Sequence, residues 1–175
     1  MILISVSHDK DFIWKTRGYA NIFEMNKDLI DKWNSVVTSE DVVYHLGDVM
    51  LGNLEDGIKC LHQLNGNIHI IRGNHCTDKR VTEFLKSYNV LDVTYADVFK
   101  ANKHWVFYLS HYPSLVANEG DRKKIFNLSG HIHTTDKFLL AKHQIYNVGV
   151  DAHNGFPVSI DEIIEDIRER RRQIG

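Results

Sequence analysis

Apolar residues along this chain fall into short runs that alternate with stretches of helical period. The runs Met1–Val6, Val42–Leu46, Ile68–Ile71, Trp105–Leu109 and Ile125–Leu128 are four to six residues long and rich in β-branched and aromatic side chains. Such runs suit strands covered on both faces in a layered α/β domain. Between them Met25, Leu29, Ile30, Trp33, Val36 and Val37 fall on one helical face, and Asn21 with Glu24 resembles a capping box. Leu54, Ile58, Leu61 and Leu64 form a second stripe, opened by Asn53 and closed by Asn65-Gly66. Val81, Phe84, Leu85 and Tyr88 form a third, starting near Thr77, and a last helix over 159–172 turns Ile160, Ile163, Ile164 and Ile167 inward. After about Asn89 the pattern becomes strand after strand: Val90–Tyr95, Val98–Ala101, Trp105–Leu109, Ile125–Leu128, Phe138–Leu140 and Gln144–Val148. The expectation is a βα-rich first half and a mostly β second half, packed as two sheets with helices outside. No repeat, low-complexity tract or linker interrupts the pattern, so one domain is expected over 1–175.

Composition adds limits. A chain of 175 residues can bury roughly 70% of its extended surface. The formal net charge of −2 gives no general attraction to nucleic acid or to an anionic membrane, so nucleic acid enters only as a substrate held in a local groove. No apolar run approaches the roughly 20 residues that span a bilayer, and the first residues lack the pattern of a signal peptide. The only cysteines, Cys60 and Cys76, form no CxxC pair and read as free thiols of a reducing compartment. The cytoplasm is the expected location.

Eleven histidines is a high count, and five of them follow apolar runs beside Gly, Ser or Asn. Ser7-His8 follows the first run, Gly47-Asp48 the second and Gly73-Asn74-His75 the third. Ser110-His111 follows the fourth and Gly130-His131-Ile132-His133 the fifth. Open α/β sheets place ligand sites at the carboxyl ends of their strands, so five exits offer His, Asp and Asn to one crevice. Gly or Ser at each bend lets backbone and ligand approach closely. A mixed nitrogen and oxygen set without thiolates favours Mn, Fe, Ni or Zn over a structural cysteine-type site.

The order Gly-Asp, Gly-Asn-His, Ser-His, Gly-His-x-His resembles the calcineurin-like metallophosphoesterases. The stretches Tyr44–Asp48, Arg72–His75, Leu109–Pro113 and Asn147–Asp151 are similar to those of small bacterial and phage-encoded members, and the match runs to about Ser159. The resemblance implies a four-layer α/β/β/α sandwich of two mixed β-sheets flanked by helices. It implies one or two divalent metal ions, Mn foremost with Fe, Ni or Zn as alternatives. Asp48 would bridge two metals. Asn74, His111 and His131 would complete one site, and His8 with His133 would contribute to the other. His75 would lie near the scissile phosphate and protonate or stabilise the leaving oxygen, and Asp48 is counted with it as catalytic. The implied activity is hydrolysis of a phosphate ester, a phosphodiester or nucleotide before a monoester. Arg17 and Arg72, each near a proposed metal loop in sequence, are candidates with Asn74 for holding the substrate phosphate.

The chain departs from the family pattern at three places. The first motif is Asp-x-His in the family, and Val6 stands where its aspartate ligand belongs. Cys76 follows Gly-Asn-His in place of a carboxylate, and Leu51 replaces the second-motif carboxylate. Val6 leaves open a working enzyme with one weakened metal site, a knocked-down enzyme, or a scaffold that uses the fold as an interaction module. Asp9 or Asp11 as a substitute ligand is set against plain solvent exposure. His45 and His69, inside apolar runs, read as core or supporting histidines, and His62 and His104 as surface residues. His143 and His153 have no motif, although His153 lies near the Asn147–Asp151 match. Cys76 reads as a cleft-edge thiol, and the arginines at 168 and 170–172 as a solvated helix end favoured by the macrodipole.

Overall fold

A computed structural model describes residues 2–4 as backbone, and residues 13–116, 125–139 and 144–174. Val6, His8, Asp9, Asp11, Leu140 and His143 lie outside the described residues. The elements in order are β1 (Ile2–Ile4), α1 (Ile13–Thr16), α2 (Ile22–Val36), β2 (Val42–His45), α3 (Leu54–Leu61), β3 (Asn67–Ile71), α4 (Asp78–Phe84), β4 (Val90–Thr94), β5 (Ala96–Lys100), β6 (Val106–Ser110), β7 (Ile125–Ser129), β8 (Ile145–Asn147), a 3₁₀ turn (Val150–His153), β9 (Val158–Ser159) and α5 (Ile160–Ile174). They build two mixed sheets flanked by helices. One sheet has the order β4-β3-β2-β1-β9 and the other β5-β6-β7-β8. In the first, β1 to β4 are parallel and β9 closes the edge antiparallel. In the second, β6, β7 and β8 are parallel with β5 antiparallel at the edge. The β1–β4 and β6–β8 runs therefore each point their carboxyl ends one way.

Strand alternation divides the core. On β2 and β3, Val43, Ile68 and Ile70 join a cluster with Met25, Leu29, Ile30 and Trp33 of α2, Leu61 of α3 and Phe84 of α4. Leu46 and Ile71 instead join Phe107, Leu109, Phe126, Leu128 and Tyr146, together with Ile163, Ile164 and Ile167 of α5. Full burial of each such side chain contributes about 2 kcal/mol, enough to fix which face is which. A one-residue slip in β2 or β3 would exchange the two clusters, so the register that sets the strand exits is strongly specified.

Helix ends follow the expected chemistry. Asn21 Oδ1 accepts from Glu24 N at 2.9 Å, while the Glu24 carboxylate accepts from Ala20 N rather than from the cap itself. Asn53 Oδ1 accepts from Glu55 N and Asp56 N at 2.8 and 3.2 Å. Two stripes are narrower than expected. Val37 has left the helix with extended backbone and turns inward, which leaves Val36 on the solvent side. Helix α4 ends at Phe84, so Leu85 and Tyr88 are exposed, and the Tyr88 hydroxyl donates to the His62 carbonyl at 2.7 Å. The expected strand at Phe138 is a single bridge to Tyr146. The short helix α1, the 3₁₀ turn and β9 are too brief for a periodic signal.

Candidate metal centre

Four strand exits meet above the carboxyl ends of β2, β3, β6 and β7. The β2 exit bends sharply, with Gly47 at φ +93° and Asp48 at φ +51°, a left-handed conformation that a short polar side chain tolerates. Close approach requires glycine here. A Cβ at Gly47 would stand 2.3 Å from His111 Nδ1, and one at Gly73 would stand 2.2 Å from Asp48 Oδ1. The bend tucks Asp48 into the floor, where Oδ1 accepts from His75 N at 2.9 Å and Oδ2 lies 3.3 Å from His111 Nε2. Burial alone would raise this carboxyl, but the hydrogen bond from the His75 amide works against that and the carboxyl stays below its ordinary range.

His111 is almost fully buried and its orientation is set from behind. Its Nδ1 lies 2.9 Å from the Leu46 carbonyl, which accepts only if Nδ1 carries the proton. With Nδ1 so occupied, Nε2 is the ring atom turned to the crevice. There Nε2 meets Asn74 Oδ1 at 2.9 Å, Asp48 Oδ2 at 3.3 Å and His131 Nδ1 at 3.0 Å. Lone pairs so arranged repel unless a cation stands among them. Asp48, His111 and His131 present ligand atoms all within 4.8 Å of one another, a candidate metal site to which Asn74 adds a further oxygen. Burial pushes His131 below its usual value, toward the neutral form that ligates. The donor set holds no thiolate and fits a borderline divalent ion.

A second group lies beside it. His133 Nδ1 is 3.1 Å from Asp151 Oδ2, and Arg17 grips the same carboxylate through Nε to Oδ1 at 2.7 Å and Nη2 to Oδ2 at 2.9 Å. Burial would raise the Asp151 carboxyl, but His133 and the guanidinium hold it well below the usual carboxylate range. Arg17 is thus turned to Asp151. Arg72, at the β3 exit, donates to Asp78, to the Cys76 carbonyl and to the Tyr95 hydroxyl, and lies over the Tyr95 ring. The His75 side chain is exposed beside Asn74 on that loop.

The whole chain is similar to known proteins. The model of the calcineurin-like phosphoesterases matches residues 11–173. The chain belongs to that family. An uncharacterized protein of Methanocaldococcus jannaschii, MJ1445, is 33% identical over 157 residues, covering 87% of this chain and 81% of that protein. The crystal structure of AQ665 from Aquifex aeolicus, a protein of unknown function, shares the fold with a TM-score of 0.70 at 20% identity, covering 94% of this chain and 98% of its own.

The candidate site also has neighbours that sequence patterns did not single out. Arg80 on α4 donates to the carbonyls of Met50, Leu51, Gly52 and His75, tying the loop after Asp48 to the loop of Asn74 and His75. Its partners are all backbone oxygens, which leave no trace in sequence. The Tyr112 ring stands 4.7 Å from the His131 ring and 5.0 Å from that of His111. Cys76 is buried rather than at the cleft edge, because its Sγ accepts from Gly73 N and closes the β3 turn, and burial pushes its thiol up. His45 is a core residue against Trp33, and His69 pairs with Asp92 under the Tyr44 ring, as expected. His153 bonds the Asn147 carbonyl at 2.9 Å and lies against Tyr146.

Proposed function

We propose that this phosphoesterase hydrolyses phosphodiesters, with nucleotides among its substrates, using one tightly and one weakly bound divalent ion, Mn foremost. The observation that carries this reading is the His111 Nε2 lone pair facing Asn74 Oδ1 and the Asp48 carboxylate at 2.9 and 3.3 Å, an arrangement suited to a cation. Asp48, Asn74, His111 and His131 would hold the tighter ion, and Asp48, His133 and His8 the weaker one, since Val6 supplies no carboxylate. Such ions, when bound, clamp phosphoryl oxygens and lower the pKa of water to near neutrality. Asp48 orients that centre from the floor. Asn74 and Arg72, which share the β3 exit, would meet the phosphate from one side. His75, exposed on the same loop, is placed to give a proton to the leaving oxygen, since an imidazole can both carry and release one. A cleft of about 350 Å³ of mixed lining, with Leu29 and Val150 beside Tyr19, Lys32, Asp151 and Asn154, offers room for the organic part of an ester.

The test is hydrolysis of bis-p-nitrophenyl phosphate with added Mn by the native chain and by Asp48→Ala, His131→Ala and Val6→Asp variants. The reading expects turnover by the native chain, its loss in the first two variants and a gain in the third. Undiminished turnover in Asp48→Ala would refute the site. No turnover by either the native chain or Val6→Asp, in any of Mn, Fe, Ni or Zn, would favour a scaffold.

A further inference from the structure

The motif Asn147–Asp151 has no role in the chemistry above, yet its two ends bracket His133. We propose that Asp151, braced by Arg17 and set in register by Asn147, is the positioning residue that aims the Nε2 atom of His133 at the metal centre. The proposal rests on the assignment of His133 as a metal ligand.

Three observations carry it. First, the contact is direct. Asp151 Oδ2 lies 3.1 Å from His133 Nδ1, closer than the Arg17 Nη2 donor at 3.5 Å, so the carboxylate is the nearer partner and favours the proton on Nδ1. That tautomer leaves the Nε2 lone pair free to ligate, and ring rotation about its bond would break the hydrogen bond.

Second, the carboxylate cannot swing away. Arg17 holds both its oxygens in a fork, at 2.7 and 2.9 Å. The Arg17 and Asp151 side chains are only 10% and 19% exposed, whereas His133 is 45% exposed. The ordered pair thus lies beneath and the open histidine above it, the arrangement expected of a ligand and its outer support. A planar guanidinium matches a carboxylate at two points, so it fixes direction as well as distance.

Third, the backbone segments that carry His133 and Asp151 are tied to each other by one fully buried side chain. Asn147 Nδ2 faces the carbonyls of Ile132, Thr134 and Asp136 at 3.2–3.3 Å, so it grips the loop on both sides of His133. Its Oδ1 accepts from Gly149 N at 2.9 Å at the entry to the 3₁₀ turn that bears Asp151. A Cβ at Gly149 would stand 2.9 Å from that oxygen, so glycine is needed for the turn to close. The family stretch Asn147-Val-Gly-Val-Asp151 thereby acquires a physical purpose: Asn147 places the two loops, Gly149 permits the turn, and Asp151 orders the ring.

The experiment is nitrogen-15 NMR of the metal-free protein at pH 8 with labelled histidine, the His133 signal being assigned by its loss in His133→Gln. The expected result is an Nδ1–H tautomer for His133 in the native chain, a mixed tautomer in Asp151→Ala, and an intermediate one in Arg17→Lys. Asp151→Asn keeps the shape and one acceptor and should retain part of the native signal. Calorimetric titration with Mn should then show the weaker ion bound about 10- to 100-fold less tightly in Asp151→Ala, with Asp151→Asn between. An unchanged His133 tautomer in Asp151→Ala overturns the proposal, and should that variant not fold, an unchanged tautomer in Asp151→Asn does so. Failure of the underlying metal assignment looks different: the native chain would then bind no Mn while its His133 tautomer still responds to Asp151.

Discussion

The substitution Gly73→Ala isolates the metal centre from the rest of the fold. Gly73 has no left-handed backbone, so an alanine there meets no conformational penalty of its own. Its Cβ, however, would lie 2.2 Å from Asp48 Oδ1, 2.6 Å from Asp48 N and 2.8 Å from Asp48 Cγ. Ordinary contact begins at 3.4 Å, so the carboxylate has to move by about 1.2 Å or the two strand exits have to part. Overpacking of this kind costs about 1–3 kcal/mol, or roughly 5 °C in melting temperature for a chain of this size. A displacement of about 1 Å in a reacting constellation costs about 100-fold in rate. Gly66→Ala is the matched control. Gly66 sits at φ +94° before β3, at the end of the strand remote from the site, and its Cβ would meet Val37, Val43 and the Asp41 carbonyl at 3.0–3.2 Å. It should lower the melting temperature at least as much, through about 1–2 kcal/mol of left-handed strain and the tight contacts, while kcat/KM stays within about twofold. The assay is Mn-dependent hydrolysis of bis-p-nitrophenyl phosphate, with calorimetric melting of both variants. A Gly73→Ala protein that is folded and retains half the native kcat/KM would refute the placement of Asp48.

Three further outcomes follow from the same contacts. Arg80→Met removes charged hydrogen bonds to four carbonyls and should cost about 3 kcal/mol, lowering the melting temperature by roughly 10 °C in scanning calorimetry; a change under about 2 °C would show that the loops do not depend on it. At alkaline pH, burial and Asp166 push the Tyr146 phenol far up, while burial and Asp28 raise Tyr19 to about 12. The unfolded phenols ionise near 10, so the stability these two contribute is complete below about pH 10 and is lost as pH rises through the folded values. In an absorbance titration at about 295 nm both should stay un-ionised until the chain unfolds, and Tyr146→Phe should remove part of that steep loss. Titration of the native chain with Mn should show two unequal binding steps, with Val6→Asp strengthening only the weaker; equal steps in both proteins would place Val6 away from the metals.

What the amino-acid pattern disclosed was mainly what lies close in sequence. The β2, β3, β6 and β7 exits could be read because each couples an apolar run to a small residue and a ligand-type side chain, and the fold then brings Asp48, Asn74, His111 and His131 together. The capping asparagines Asn21 and Asn53 were legible for the same reason, since cap and N–H donor lie two or three residues apart. Packing direction was less so: Val36 and Val37 look alike in a periodic pattern, and only the end of the helix between them sends one outward. Least legible were contacts whose partners are remote or are backbone. Arg17 and Asp151 stand 134 residues apart, and proximity to a metal loop suggested a phosphate ligand where the structure gives a carboxylate partner. Arg80 speaks only to carbonyls, and Cys76 is buried because Gly73 turns its amide toward the sulfur. The difference has a physical basis. A ligand must be of a certain chemical type, so its identity is written at its own position. A supporting group need only reach a given atom with the right charge, and its identity is fixed by a distance that the chain sets elsewhere. The cluster of Asp48, His111 and His131, built from strand-exit residues, was therefore readable from one sequence, while the contacts of Asp151 with Arg17 and His133, and those of Asn147 with the loop around His133, appear only in the fold.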